Sequence, residues 1–274
     1  MRDILANASN HESWGANLAY AAGLAARLGA SLTGVYVYPS PMMLVPPYAS
    51  GGLLETILEN ARITERHALA AAEPFVAWAR ERGVPHAAWQ IAEGNLPLTL
   101  AHMGNWHDLL VLGRNVDAPW GTPADVGAVV LACGLPCMVI PEGVTEVRLD
   151  TVALAWNGAI EGMRAIHAAM PLLTLAGRVV LLAGVERERF VEKGWKPPFE
   201  IESYLSAHGI TAERREISAS DDNAGDALLA ACKAVNADVL VMGAYGRSRF
   251  SEWVYGGATR DVLAGTKIPL FLRK

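Results

Sequence analysis

The chain nearly repeats itself, and this repetition is the feature that most restricts how it can fold. DILANASN, beginning at Asp3, resembles DTVALAWN, beginning at Asp150, at an offset of 147 residues. HDLLVLGR, beginning at His107, resembles ADVLVMGA, beginning at Ala237, at an offset of 130 residues. The first half is therefore longer between these segments, and a Pro/Gly-rich insert at residues 38–52 accounts for most of the difference.

Apolar segments alternate with amphipathic ones in both halves. DLLVLG and DVLVMG are apolar after their first aspartate, which is typical of parallel strands covered on both faces. ANLAYAAGLAARL and DALLAACKAVNA carry apolar residues at helical spacing. The alternation predicts an α/β fold with two Rossmann-like domains, each a five-stranded parallel sheet with helices on both faces. We place these domains at residues 1–145 and 146–274.

Composition narrows the class of protein. Of the 274 residues, 52% are hydrophobic and 19% are charged, which is enough apolar material for two cores. The net charge of −5 offers no basic field for nucleic acid or an anionic membrane. The start MRDILANASN lacks the apolar run of a signal peptide, so we expect a cytoplasmic protein. Three cysteines cannot form a disulfide framework, and we expect buried, unreactive thiols at Cys133, Cys137 and Cys232.

A long segment follows the insert. PPYASGGLLETILENARITERHALAAAEPFVAWARERG predicts one long amphipathic helix behind a proline-rich linker. Two interpretations stay open: a packed crossover helix, or a lid or docking surface for a partner.

A glycine-rich loop follows the apolar strand DVLVMG in the second half. Glycine lets the backbone approach a ligand closely, and a helix start offers unpaired N–H donors, so the loop suits a phosphate. The same glycines would also serve turns and close helix packing, and neither G-x-x-x-x-G-K-[ST] nor G-x-G-x-x-G fits. Two arginines in the loop could bind phosphate oxygens. The candidate residues here are Gly243, Gly246, Arg247, Arg249, Gly256, Gly257, Ala258 and Thr259.

The stretch GAYGRSRFSEWVYGG resembles the nucleotide-binding loop of the universal stress protein family, G-x2-G-x9-G-[ST]. DVLVMGAYGRS and VALAWNGAIEGMRAIHAAMPLL are also similar to that family. The resemblance implies two fused universal stress protein domains of the adenine nucleotide alpha hydrolase-like fold, paired as an intramolecular pseudo-dimer. It leaves open whether two chains form a homodimer. It also implies ATP or AMP as the ligand, with Mg²⁺ if the ligand is ATP.

Two residues depart from the family pattern. Gly257 stands where the family has a hydroxyl, and Asn157 stands where nucleotide-binding members usually have an acidic residue near adenine. An amide still both donates and accepts hydrogen bonds, so Asn157 remains a candidate for the base. In the first half, Val116 replaces a loop glycine, and Pro119 and Pro123 remove N–H donors. We therefore expect only the second half to bind a nucleotide.

Three functions remain open on the sequence alone. The first is a stress-response protein that binds an adenine nucleotide as a regulatory ligand, without enzymatic activity. The second is an interaction module that binds no nucleotide, and the third is a slow nucleotide-hydrolysing enzyme. At the ligand edge of the first half, His11 is either a ligand contact or a solvated loop residue. Trp14 and Trp120 in the first half and Trp253 in the second are expected in or beside loops at the predicted ligand edge, where they could shape a pocket or an interface.

Overall fold

The computed structural model describes residues 1–115, 120–184, 200–218, 223–244 and 257–274. The chain separates into two compact units. The first contains residues 1–135 and 142–147, and the second contains residues 136–141 and 148–274. The backbone therefore passes between the units three times.

The first unit is an α/β layer built on four parallel strands in the order β3-β2-β1-β4. Its central strands are buried along nearly their whole length, as both-face coverage requires. Its elements are β1 Asp3–Ala8, α1 Ala16–Leu28, β2 Ser31–Tyr38, α2 Pro41–Leu44, α3 Gly51–Ala70, α4 Ala72–Glu81, β3 His86–Glu93, α5 Leu96–Gly104, β4 Leu109–Arg114 and α6 Pro123–Ala132.

The predicted single long helix is wrong, because the segment forms two helices that meet at Ala71. Helix α3 ends at Ala70 and α4 begins at Ala72. Pro74 lies in the first turn of α4, and proline has no N–H to donate to the carbonyl four residues earlier. The backbone hydrogen bonds of α3 therefore cannot continue unbroken through this point. In α3 only Ala68 is buried, so most of that helix faces away from a core.

The second unit has six described strands in the order β5-β10-β9-β6-β7-β8. Four of its strand pairs are parallel, and β5 pairs antiparallel with β10. Its elements are β5 Cys137–Pro141, β6 Thr151–Trp156, α7 Ile160–Leu173, β7 Arg178–Ala183, α8 Ile201–Ala207, β8 Ala212–Glu216, α9 Ala224–Ala234, β9 Val239–Gly243, α10 Gly257–Gly265 and β10 Leu270–Arg273.

The position of β5 differs from the expected arrangement of five parallel strands per half. Each half of the sequence does supply five strands, but β5 groups with the second unit. Its Met138 lies opposite Phe271 of β10, and both residues are fully buried. The α/β class and the largely parallel sheet are as predicted, whereas the direction of this one pairing is not.

Strand β8 is the edge strand of the second unit, and its side chains are mostly charged. Four of its five residues are exposed, and they comprise two glutamates and two arginines. The guanidinium of Arg214 donates hydrogen bonds to Glu202 and Glu216, and these bonds raise its pKa. Charged side chains on an edge strand discourage pairing with a further strand. None of the helices within the described ranges is both long and apolar enough to cross a lipid bilayer.

Candidate functional site

Strands β6 and β9 are neighbours, and their carboxyl ends form the edge where the sequence predicts a ligand. Asn157 follows β6 directly, and its Oδ1 accepts a hydrogen bond from the backbone N of Ala159 at 3.1 Å. Gly158 between them has φ +73°, which favours glycine. The Asn157 oxygen therefore holds the turn that leads into α7, and its amide group lies on an exposed side chain.

Gly243, the last residue of β9, lies against the start of α7. A Cβ placed on it would be 2.5 Å from the carbonyl carbon of Glu161 and 2.6 Å from the backbone N of Gly162. Both contacts are with backbone, which cannot rotate away. The structure thus gives Gly243 a packing role, and its predicted contact with a phosphate stays a prediction.

Helix α10 begins at Gly257, on the far side of the predicted loop. Gly257 is exposed, and a Cβ built on it meets no atom of the described part of the chain within 4 Å. The first turn contains no acidic residue, so no carboxylate of its own offsets the positive end of the helix dipole. Thr259 is only 4% exposed, and Ala258 is half-buried. Of the predicted site residues, Gly246, Arg247, Arg249 and Gly256 lie outside the described residues.

The corresponding helix of the first half, α6, has a different N-terminus. The side chain of Thr122 accepts from the backbone N of Asp125, while the carboxylate of Asp125 accepts from the backbone N of Thr122 at 3.1 Å. The same carboxylate accepts from the backbone N of Gly121 at 3.3 Å. This capping box places an internal carboxylate on the helix start, where it occupies N–H donors of the kind that bind anions at uncapped helices. Our sequence interpretation considered the prolines and missed Asp125, although T-x-x-D is a recognisable cap pattern.

The loop after β1 repeats the turn seen after β6. Asn10 lies at the same offset as Asn157, and its Oδ1 accepts from the backbone N of Ser13 at 2.8 Å and of Glu12 at 3.0 Å. The ring of His11 packs edge-on against Tyr36, with the ring centroids 5.1 Å apart. His11 is therefore packed into the edge of the first sheet, which differs from a fully solvated loop residue.

The other residues that the sequence analysis named are explained by packing or lie outside the described residues. The ring of Trp14 contacts Phe75, Trp78 and Trp89 in an aromatic cluster. Trp253 lies outside the described residues. The three cysteines are all buried, as predicted. Within the described ranges, no group of three or more His, Cys, Asp or Glu side chains is arranged to hold a metal ion.

Comparison with known proteins finds a family that the second half resembles. Residues 164–274 match the model of the universal stress protein family. This segment is similar to a universal stress protein domain. It contains all the predicted site residues except Asn157, which precedes it. No curated protein sequence matches the chain.

Solved structures extend the fold to the whole chain. A universal stress protein from Archaeoglobus fulgidus is 14% identical and aligns with 99% of this chain and 96% of its own, at a TM-score of 0.67. A functionally unknown protein from Pseudomonas aeruginosa is also 14% identical, with 99% and 92% coverage and a TM-score of 0.60. A universal stress protein in complex with cAMP aligns with 46% of this chain and 97% of its own, at 18% identity and a TM-score of 0.32. At these identities the long alignments show a shared fold.

Proposed function

We propose that the protein is a tandem universal stress protein whose second half binds an adenine nucleotide as a regulatory ligand. The observation that carries this proposal is the contrast between two equivalent helix starts. The N-terminus of α6 is closed by the carboxylate of Asp125, whereas α10 begins with Gly257 and has no acidic residue in its first turn. The positive end of the α10 dipole and its N–H groups can therefore attract a phosphate, whereas at α6 the Asp125 carboxylate already neutralises them.

The remaining contacts follow from the edge of the second sheet. The oxygen of Asn157 is fixed by the turn, so the Nδ2 group is presented as a donor to a ring nitrogen of the base. On the phosphate side, we propose that Gly246 and Gly256 let the backbone approach and that Arg247 and Arg249 pair with phosphate oxygens. Gly243 acts indirectly, because it lets the start of α7 lie close to β9.

We propose that the nucleotide regulates the protein and is not turned over. The sequence has no G-x-S-x-G nucleophile and no evident general base beside the loop, so binding itself is the event that matters. A ligand changes the population of two states only if it binds one of them better than the other. The response is then a change in shape or in affinity for a partner, in the cytoplasm.

Gly257 provides a sharp test, because a Cβ at this position has no atom of the described residues within 4 Å. Gly257→Asp would put a carboxylate on the start of α10, as in α6, and we expect ATP to bind at least about tenfold more weakly. Gly257→Asn is the uncharged control of similar shape. Gly257→Ser restores the hydroxyl of the family pattern and should strengthen binding by up to about tenfold.

Isothermal titration calorimetry of the full chain with ATP and with AMP measures these differences. If the wild-type protein and the serine variant give no heat at millimolar nucleotide, the proposal fails. If aspartate and asparagine have equal effects, the charge argument fails and α10 is not the phosphate site.

A second candidate function is an interaction module that binds no nucleotide. The observation that favours it is the exposure of large apolar side chains around α2. Met42, Met43 and Tyr48 are 68%, 66% and 98% exposed. Silence in the calorimetric titration, together with an unchanged fold in the Gly257 variants, would favour this candidate over the first.

A further inference from the structure

Strand β3 ends the sheet of the first unit, and one of its two sides is unpaired. Among the described strands, only β2 lies beside it. The backbone N of Gly94, directly after β3, donates to the carbonyl oxygen of Tyr38 in β2 at 2.9 Å. Backbone groups of alternate residues point the same way along a strand, so those of Ala88, Gln90 and Ala92 also face β2. The backbone groups of the remaining strand residues after His86 point away from the sheet, and these residues are Ala87, Trp89, Ile91 and Glu93.

This open side of β3 lacks the usual protection of an edge strand. The strand sequence HAAWQIAE contains no lysine, arginine or proline. Strand β8 differs, because its exposed residues are glutamates and arginines. Edge strands in native proteins commonly carry charges or proline, which discourage pairing with another chain. The chain protects β8 in this way and leaves β3 able to pair.

A second copy of β3 fits the open side in a register centred on Gln90. Two copies related by a twofold axis pair antiparallel, and the residue at the axis lies opposite itself. With Gln90 there, all the outward-pointing residues lie opposite one another, and their N–H and C=O groups are satisfied. Moving the axis back by one residue would put Glu93 opposite Pro85, which has no N–H. Moving it forward would put Ala87 opposite a residue beyond the strand.

The side chains on both faces of the strand suit the same register. On the exposed face, the two copies of Gln90 meet, and each amide can both donate and accept a hydrogen bond. Ala88 lies opposite Ala92 there, and both are small. On the face that packs against α4, Trp89 lies opposite Ile91, an aromatic and β-branched pair of the kind that stabilises sheets.

Helix α4 packs over β3, and one of its sides faces the open edge. Phe75 packs on Trp89 with the ring centroids 5.1 Å apart, so the middle of α4 lies level with the middle of β3. Trp78 contacts Trp14, from the loop after β1, so this side of α4 faces toward β1. Val76 is turned about 160° from Trp78 around the helix axis. It therefore lies on the side that faces the open edge of β3.

The side of α4 around Val76 is complementary to itself. A shallow depression there is lined by Ala72, Glu73, Val76, Ala77 and Arg80. Its middle is formed by small apolar side chains, and the exposed charges of Glu73 and Arg80 flank them. When β3 pairs about the twofold axis, the two α4 helices run antiparallel, so Glu73 of one copy lies beside Arg80 of the other. This charge complementarity favours a second copy of the chain as the partner.

We propose that two copies of this chain form a homodimer through the open side of β3. The twofold axis passes through Gln90, the two β3 strands pair antiparallel, and α4 packs against α4. The interface uses the first unit alone, and it does not depend on the nucleotide proposed for the second half.

Oxidative cross-linking of the full chain tests the register. Gln90 and its copy form a pair without mutual backbone hydrogen bonds, with Cα atoms about 4.5 Å apart, which suits a disulfide. Gln90→Cys should therefore give a covalent dimer when copper phenanthroline is the oxidant. Ala88→Cys is the matched control on the same exposed face, since its two copies lie about 13 Å apart along the strands and should stay unlinked. The natural cysteines are buried, so they should contribute little background.

Charge variants at Gln90 test the association itself. Gln90→Lys places two like charges opposite each other, and it should weaken the dimer at least about tenfold in sedimentation velocity. Gln90→Glu should do the same, and an equimolar mixture of the two variants should restore the dimer. Because the side chain of Gln90 is exposed, the thermal midpoint of each variant monomer should match that of the wild type at low concentration.

Three results would overturn the proposal. The first is a wild-type chain that sediments as a monomer at about 100 µM, since β3 would then be free for a different partner. The second is a dimer that persists in Gln90→Lys, since the copies would then associate through another surface, such as the exposed methionines of α2. The third is equal cross-linking of the two cysteine variants, since random collision would then explain the disulfide.

Discussion

Gly243 shows how one residue can satisfy a binding pattern and a packing requirement at once. It occupies the first glycine of the family loop, yet the start of α7 already lies so close that no side chain fits there. Its identity alone is therefore no evidence for a ligand. Gly257 is the opposite case, because a Cβ added there would meet none of the residues that the structure describes within 4 Å.

We predict that Gly243→Ala destabilises the protein by about 1–3 kcal/mol, because the added methyl group must displace the backbone of Glu161 and Gly162. Gly257→Ala is the matched control. It lies at the start of α10, where an added Cβ meets no described residue within 4 Å, and the change should be neutral or should stabilise by less than about 1 kcal/mol. Urea denaturation of both variants measures the difference. Equal stabilities would show that α7 shifts freely relative to β9.

A second prediction concerns Cys232, whose side chain is buried in α9. Burial raises the pKa of its thiol from 9.0 to about 12. The folded state keeps the proton that the unfolded state loses above about pH 9. The stability associated with this group is therefore complete below pH 9 and is lost as the pH rises toward 12.

Mass spectrometry after alkylation at pH 8 should find Cys232 unmodified in the native protein and fully modified in urea. Cys232→Ala should reduce the loss of stability between pH 9 and pH 11. Rapid alkylation of the native protein would contradict the buried position of this thiol.

At the scale of elements, the capping box of α6 makes a separate contribution to stability. We predict that Asp125→Ala lowers the free energy of unfolding by about 1 kcal/mol, since the N–H groups of Gly121 and Thr122 lose their acceptor. Thr122→Ser is the control, because it keeps the hydroxyl that accepts from the Asp125 backbone. Thermal and urea unfolding measure the effect. If alanine is tolerated as well as serine, the box does not hold the helix start.

The elements also show what the sequence can and cannot predict. The strands at Leu109–Arg114 and Val239–Gly243 were predictable because unbroken apolar runs suit parallel strands covered on both faces. The break at Ala71 was also readable, since Pro74 is visible in the sequence, but the strong helical pattern on both sides obscured it. The antiparallel pairing of β5 was not predictable, because it joins residues more than 100 positions apart and no local pattern encodes it.

Some features of the candidate site could also be predicted from the sequence, and others could not. Asn157 was predicted only as a contact for the base, and the turns held by Asn157 and by its equivalent Asn10 were not predicted. Two buried atoms, Oδ1 of Asn7 and Nε1 of Trp120, have no hydrogen-bond partner among the described residues. This could not be predicted, because it depends on what the tertiary structure places around each side chain. Composition and periodicity describe which residues are buried, and they do not describe which buried groups lack partners.

At the scale of the whole molecule, matching contacts in the two units support a duplication. Asp108, before β4, accepts from the backbone N of Arg2 through its carboxylate, at 2.6 Å. Asp238, before β9, accepts from the backbone N of Thr151 in the same way, at 2.8 Å. The two aspartates stand at the same position of the repeat. Each therefore fixes the start of the first strand in its own unit.

Strand β5 comes from the first half of the sequence but belongs to the second unit, and this leads to a prediction about both units. We predict that Val139→Pro, in the first half of the sequence, destabilises the second unit by about 1–3 kcal/mol, because proline removes an N–H from the strand beside β10. Val111→Pro is the matched control in β4 of the first unit. Native-state hydrogen exchange should show lost protection in β10 for the first variant and in β1 for the second. Loss confined to β1 and β4 in both variants would contradict the assignment of β5.

The same feature bears on how such a gene can be rearranged. A recombination point at residue 145, where the repeat suggests a seam, would leave the later copy without the strand that borders β10. A transferable cassette has to start ahead of Pro136 and carry a piece of the earlier copy with it. Proteins that descend from this chain should therefore keep the two copies together. A protein that contains the later copy alone should pair β10 with an equivalent strand from a second molecule.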